Sequence, residues 1–317
     1  MPAPRTDKRP AYRTEPRFTV PERAAAMRAD AILGLLEGRA QERPEPDAGR
    51  VSAWAREAAL GSPDAQFELA RALTSGQPLS ADNRAAVKWL RKAAQQEHAA
   101  SRHLLGVLIA RAQGVRADPQ QAVALFRAAA VMGCMQAQYD LARALTWGFG
   151  CEPSDREAMS WFRLAAAQGH VPSMAAAGRG YLEGRGCERD LRQAAQWFRK
   201  AALAGDPEAA FALSGLHRRS DYPQASGAEA LRWCGEAARA GLAAAQYQLA
   251  LAHWSGEGTP RSPRLALEWA RRAAEQEEPR ALIFLARCIM ESPRADDTAA
   301  MALAMRASAC AKRGSDE

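Results

Sequence analysis

Trp161-Phe162-Arg163-Leu164-Ala165-Ala166 returns 36 residues later as Trp197-Phe198-Arg199-Lys200-Ala201-Ala202. The slot occupied by Trp161 is filled at the same interval by Trp89, Leu125, Trp197, Trp233 and Trp269, and Met305 closes the series. One large apolar residue at a fixed interval marks an array of one structural unit stacked on itself. Such an array is read as repeats before any other motif is weighed.

Working outward from Trp161, each unit reads as helix, short loop, helix. First helices are expected to open at Pro63, Ala99, Met135, Val171, Pro207, Ala243 and Pro279. Proline suits a first helical position because its missing N–H would have had no partner there. Two residues on, a small residue recurs: Ala65, Ser101, Ala137, Ser173, Ala209, Ala245 and Ala281. An apolar slot follows at Leu69, Leu105, Leu141, Ala177, Leu213, Leu249 and Leu285, and the position after it is small in every unit. Small side chains there let neighbouring helices approach closely. Gly148, Gly184 and Gly256 suit the left-handed turn that closes a helix.

Second helices are expected to be capped by Asp82, Asp118, Ser154, Asp190, Ser226, Ser262 and Thr298, whose side-chain oxygens accept the free N–H groups of a first turn. Ser154 with Glu157 has the spacing of a capping box. Glycine ends several second helices, at 133, 169, 205 and 241. The Trp slot itself reads as core packing, since aromatics bury the most surface per residue.

Before the array, residues 1–20 carry Pro2, Pro4, Pro10 and Pro16 among charged residues and read as a disordered tail with little apolar surface to bury. Residues 21–62 read as a degenerate helical hairpin. Its helices are expected over Pro21 to Gly38 and Arg50 to Leu60, with Trp54 one residue out of register. A terminal repeat is expected to be atypical because one of its faces meets water. Seven 36-residue units then fill 63–317.

The units resemble the Sel-one-like repeat, a relative of the tetratricopeptide repeat. The resemblance is carried best by Ala177-Gly178-Arg179-Gly180-Tyr181-Leu182-Glu183-Gly184-Arg185-Gly186-Cys187, continued by Asp190, Ala194, Trp197, Ala201, Ala202 and Gly205. The fifth unit departs from the pattern, with Ser220 and Tyr222 where the loop glycines would stand, and the seventh has Ser292 and Arg294. The resemblance implies an all-α fold, a right-handed α/α solenoid (a superhelix like that of tetratricopeptide repeats) with a concave face lined by the first helices. It also implies an adaptor that assembles complexes and a repeat without a catalytic group.

The remaining signals fit a non-catalytic protein–protein interaction scaffold. The net charge of +7, from 43 basic and 36 acidic residues, is modest and spread along the chain, so no nucleic-acid footprint is indicated. No stretch is long and apolar enough to span a bilayer, and no signal peptide is evident. Six cysteines without a CxxC pair suit a reducing compartment, so a soluble, cytoplasmic, bacterial-type protein is expected. Cys151 and Cys187 share a loop slot and read as small buried hydrophobes. His217 and His253, 36 apart, read as substituted core positions, and two ligands fall short of a zinc site. The Gly178–Gly186 run lacks the preceding strand of a dinucleotide loop. With no catalytic constellation, neither a cofactor nor an enzyme is expected.

Candidate partner-binding residues fall into two sets. Arg71, Arg143, Arg179 and Arg287 share one first-helix slot, two residues after the apolar one, and form an interrupted basic ladder suited to an extended acidic segment. Trp147, Phe149 and Trp254 stand at or just beyond first-helix ends, as anchors for a partner or as packing against the next unit. The alternative functions are a regulator binding a peptide or cell-wall fragment and, more distantly, a hydrolase-type enzyme.

Overall fold

The computed structural model describes residues 48–76, 79–290 and 297–316. The tail over 1–20 and the helix expected from Pro21 lie outside these residues. Fifteen helices and no strand occur among the described residues. They are α1 (Ala48–Ala59), α2 (Pro63–Ser75), α3 (Asn83–Gln95), α4 (Ala99–Ala110), α5 (Pro119–Val131), α6 (Met135–Trp147), α7 (Asp155–Ala167) and α8 (Val171–Glu183). Then come α9 (Leu191–Leu203), α10 (Pro207–His217), α11 (Gly227–Arg239), α12 (Ala243–Ser255), α13 (Pro263–Glu275), α14 (Pro279–Met290) and α15 (Asp297–Asp316). They divide into two compact units. One holds 48–129 with 147–153, and the other holds 130–146 with the described residues from 154 onward.

All seven first helices begin at the residue the repeat register assigns them. In the second unit α8 packs on α9, α10 on α11, α12 on α13 and α14 on α15, which are the hairpins. Each hairpin also packs on the next, α9 on α10, α11 on α12 and α13 on α14. The recurrent small residue two positions into each first helix is buried in all seven, as is the apolar slot after it. The helix caps follow the sequence closely. Asp82, Ser154, Asp190, Ser226 and Ser262 accept backbone N–H bonds at their helix starts, and Asp118 accepts that of Gln121 at 2.9 Å. Thr298 is a correction, since it stands second in α15, behind Asp297.

The capping box at Ser154 is only half formed. Ser154 Oγ accepts the Glu157 N–H at 3.3 Å, but the Ser154 N–H donates to the Leu145 carbonyl. The Glu157 carboxylate instead accepts the Trp161 indole N–H at 3.2 Å, and Glu229 does the same for Trp233 at 3.1 Å. This points to a second correction. Trp89, Trp161, Trp197 and Trp269 are only half-buried, and Trp233 alone is enclosed. The residue after the slot fills the core, as Leu90, Phe126, Phe198, Cys234 and Ala270. The tryptophans roof that core with one face, and Lys92, Lys200 and Arg272 lie over the other at 4.4, 4.4 and 4.7 Å from the ring centre. An indole is amphipathic, and a long cation can cover the face that the core leaves open.

Two complementary pairs tie helices together. Where the small slot is glycine, a phenylalanine presses on it: a Cβ on Gly106 or Gly178 would stand 2.7 Å from the ring of Phe126 or Phe198. Where the slot is Ala70, the partner shrinks to Leu90, which is fully buried. A polar staple joins successive repeats. Buried Gln138 donates to the Ala130 carbonyl at 3.2 Å and accepts from Gln168 at 2.7 Å. Gln66 with Gln96 and Gln246 with Gln276 repeat this arrangement. Each buried amide is thereby satisfied on both its donor and acceptor sides, as a buried polar group must be.

Candidate functional site

In the arginine slot, two residues beyond the buried apolar one, the exposure varies from repeat to repeat: Val107 is buried and Arg143 and Leu251 are half-buried, whereas Arg71, Arg179 and Arg287 are exposed. Arg71, in the first unit, is exposed and paired with Glu68 of its own helix at 2.6 Å. In the second unit Arg179 and Arg287 are exposed and Arg143 is half-buried. The guanidinium of Arg143 lies over the ring of Tyr139, 5.7 Å from its centre. Arg143 and Arg179 both act electrostatically on the Tyr139 phenol. Arg143 is thus the rung that lies on Tyr139, while Arg179, from the next first helix, reaches the phenol through its charge. Gly215 and Leu251 stand in the slot between Arg179 and Arg287, which leaves Arg287 outside this cluster.

Tyr139 is packed from behind. Its ring contacts Phe162 at 5.8 Å and His170 at 4.8 Å, both tilted. Burial pushes the phenol above its ordinary pKa, Asp140 adds to this, and the two arginines oppose it. The hydroxyl thus stays protonated at neutral pH and can donate a hydrogen bond beside two cations. Two guanidiniums and a phenol in one place suit a carboxylate-bearing chain laid over an aromatic face.

The aromatic candidates separate. Trp147 is 64% exposed at the end of α6. Phe149 is buried, and Trp254 meets Phe284 edge-on at 5.4 Å. Phe149 is thus enclosed, and half-buried Trp254 packs against the first helix of the following repeat. His217 is also buried. Its Nδ1 donates to the Gln224 carbonyl at 3.1 Å, and its ring meets Tyr222 edge-on. Cys234 is enclosed too, and burial pushes its thiol up to about 11. Among the described residues no group of His, Cys, Asp and Glu is arranged to hold a metal, and no helix is long and apolar enough to cross a membrane.

Sequence reasoning missed Tyr139. Its slot carries Phe67, His103, Tyr139, Phe211 and Tyr247, two residues after the small slot and four before the arginines. The same 36-residue alignment that exposes the Trp slot contains this aromatic stripe, but it is masked by Ala175 and Ile283 at the same position.

Stacked helical hairpins and a periodic small-residue seam define an all-α helical-repeat protein. Residues 63–98, 99–134, 136–170, 171–206, 207–242 and 243–278 each match the Sel1 repeat, and the chain belongs to that family. None of the curated proteins matches it. Among solved structures it is similar to a protective antigen of uropathogenic Escherichia coli with an SLR fold. That similarity is 27% in identity with a TM-score of 0.78, over 82% of this chain and 56% of the antigen. The chain thus spans little more than half the length of that relative. A Sel1 repeat protein from Oxalobacter formigenes matches at 24% identity and a TM-score of 0.62, over 78% of this chain and 96% of that one. The fold class is that of the helix-turn-helix repeat solenoids.

Proposed function

We propose that this chain is a non-catalytic scaffold that receives a protein partner along the groove lined by its first helices. The observation that carries this reading is that half-buried Tyr139 and Arg143 are in contact on one first helix and that exposed Arg179 of the next first helix acts on the same phenol. The cluster suits an extended acidic segment, since a guanidinium pairs with a carboxylate through two parallel hydrogen bonds. Exposed Trp147 supplies a separate aromatic anchor.

The test is capture of a partner by the full chain followed by crosslinking. Crosslinks are expected on α6 and α8, and Arg143→Glu with Arg179→Glu is expected to release the partner at low salt. Crosslinks confined to the second helices, or a partner retained by the charge-reversed chain, would overturn the reading.

A further inference from the structure

The second unit carries a recess lined by charged side chains at the start of α9 and on the loop after α10. The recess, of about 690 Å³, is bounded by Arg163 of α7, by Glu188, Arg189 and Asp190 before α9, by Arg192 in its first turn, and by Asp221 and Pro223 of the irregular fifth-repeat loop. Its formal charges balance, three basic against three acidic, but the acids are not equally available. Asp190 is consumed by the helix it caps, accepting the Arg192 and Gln193 N–H groups at 2.8 and 3.0 Å. Asp221 is held by Arg189 at 2.7 Å and by Arg219 at 2.8 and 2.9 Å. Arg163 and Arg192 are exposed and make no ion pair among the described residues. Once the spent carboxylates are removed, the recess presents two uncommitted guanidiniums against one uncommitted acid, Glu188.

Asp221 is a carboxylate carried on a polypeptide loop, and it lies in a fork between two arginines. The loop that carries it is anchored independently. Tyr222 is 3% exposed, meets His217 edge-on, and its hydroxyl donates to Gln224 at 2.9 Å. The wall therefore does not depend on the Asp221 ion pairs, which occupy Arg189 as an internal counter-ion.

We propose that this recess docks an acidic peptide segment, with carboxylates on Arg163 and Arg192, and that Asp221 competes with that segment for Arg189. The charged lining of the recess comes from second-helix and loop residues, with Tyr181 of α8 as the first-helix contribution, and it includes neither Arg143 nor Arg179, so the two sites can be tested by separate substitutions.

The probe is a labelled hexaglutamate peptide titrated onto the full chain at low salt and followed by anisotropy, with inorganic phosphate as the competing simple anion. Arg163→Gln with Arg192→Gln is expected to weaken binding roughly tenfold or more, the scale of losing charged hydrogen bonds. Asp221→Asn is expected to tighten it several-fold by freeing Arg189. Arg143→Glu with Arg179→Glu is expected to leave the Arg163- and Arg192-dependent part of binding intact. Arg163, Arg179, Arg192 and Asp221 are exposed and Arg143 is half-buried, and circular dichroism checks that each variant is folded. Binding unchanged in the Arg163 and Arg192 variant, or weakened by Asp221→Asn, would overturn the proposal. So would displacement of the peptide by phosphate at equal concentration, which would reduce the site to a general anion trap. Loss of binding in the Arg143 and Arg179 variant alone would sink the recess and leave the groove reading standing.

Discussion

Gly186 and Gly258 occupy the same loop slot of two repeats and share a φ of +71°. They differ only in what lies opposite. A Cβ on Gly186 would stand 2.5 Å from the carbonyl carbon of Asp155, at the start of α7, and closer still to its oxygen. A Cβ on Gly258 would find nothing nearer than Leu231 Cδ2 at 3.9 Å. Alanine at either site incurs the left-handed strain of an L-residue, about 1–2 kcal/mol. Lower entropy of the unfolded chain returns about 0.4–1 kcal/mol. Gly258→Ala should therefore cost about 1 kcal/mol or less. Gly186→Ala must also move the loop about 1 Å to restore carbon contact distance. That movement strains the Arg185 N–H bond to the Gly180 carbonyl and the Asp190 N–H bond to the Tyr181 carbonyl, both 2.9 Å. At about 1 kcal/mol each, the total approaches ~3 kcal/mol, a gap of about 2 kcal/mol between the variants. The assay is urea unfolding followed by circular dichroism, with native-state hydrogen exchange to place the loss, because repeat arrays need not unfold in one step. The Gly186 variant should lose protection at α7 and α8. Equal losses in the two variants, within about 0.5 kcal/mol, would refute the close-approach argument and leave only backbone strain.

Other expectations follow from the same contacts. Glu97 and Glu277 hold φ of 62° and 60° where other repeats place Gly133, Gly169, Gly205 and Gly241, so Glu97→Gly and Glu277→Gly should each stabilise by about 0.5–1 kcal/mol; a drop in melting temperature would count against this. In a double-mutant cycle, Gln138→Ala and Gln168→Ala should couple by about 1 kcal/mol, and strict additivity would show the staple to be idle. The buried Cys234 thiol should react with iodoacetamide last among the six cysteines and only on unfolding, and early labelling of the native chain would contradict its burial. Because the folded thiol titrates at about 11, above the ordinary 9.0, the folded state holds the proton longer. Stability from this group is full below pH 9 and is lost as pH rises towards 11. Cys234→Ala should flatten that part of an alkaline stability profile, and an unchanged slope would assign the loss to other groups.

The repeat period, helix starts and second-helix caps were legible in the sequence because they depend on local chemistry. Proline at a first turn, an Asp or Ser oxygen ahead of a helix and glycine at a positive φ act within a few residues of themselves. The Trp slot shows where periodicity stops being enough. A residue recurring every 36 positions must meet the same surroundings in each unit, yet recurrence does not say whether those surroundings are core or roof. That was decided by the neighbouring residue, which took the buried position and left the indole to be covered by Lys or Arg. The Gly178–Phe198 contact and the Gln138–Gln168 staple pair residues 20 and 30 positions apart, and only packed helices reveal that they touch.

The sequence by itself determined an array of helical hairpins and its register, because burial demands the same small-residue seam in every unit. Only the tertiary structure decided which arginines act together. Arg143 lies over Tyr139 and Arg179 acts on the same phenol through its charge, Arg71 is taken by Glu68, and Arg189 is taken by an aspartate 32 residues away. Charges on one slot look equivalent in a sequence. They become different when packing gives each its own neighbours.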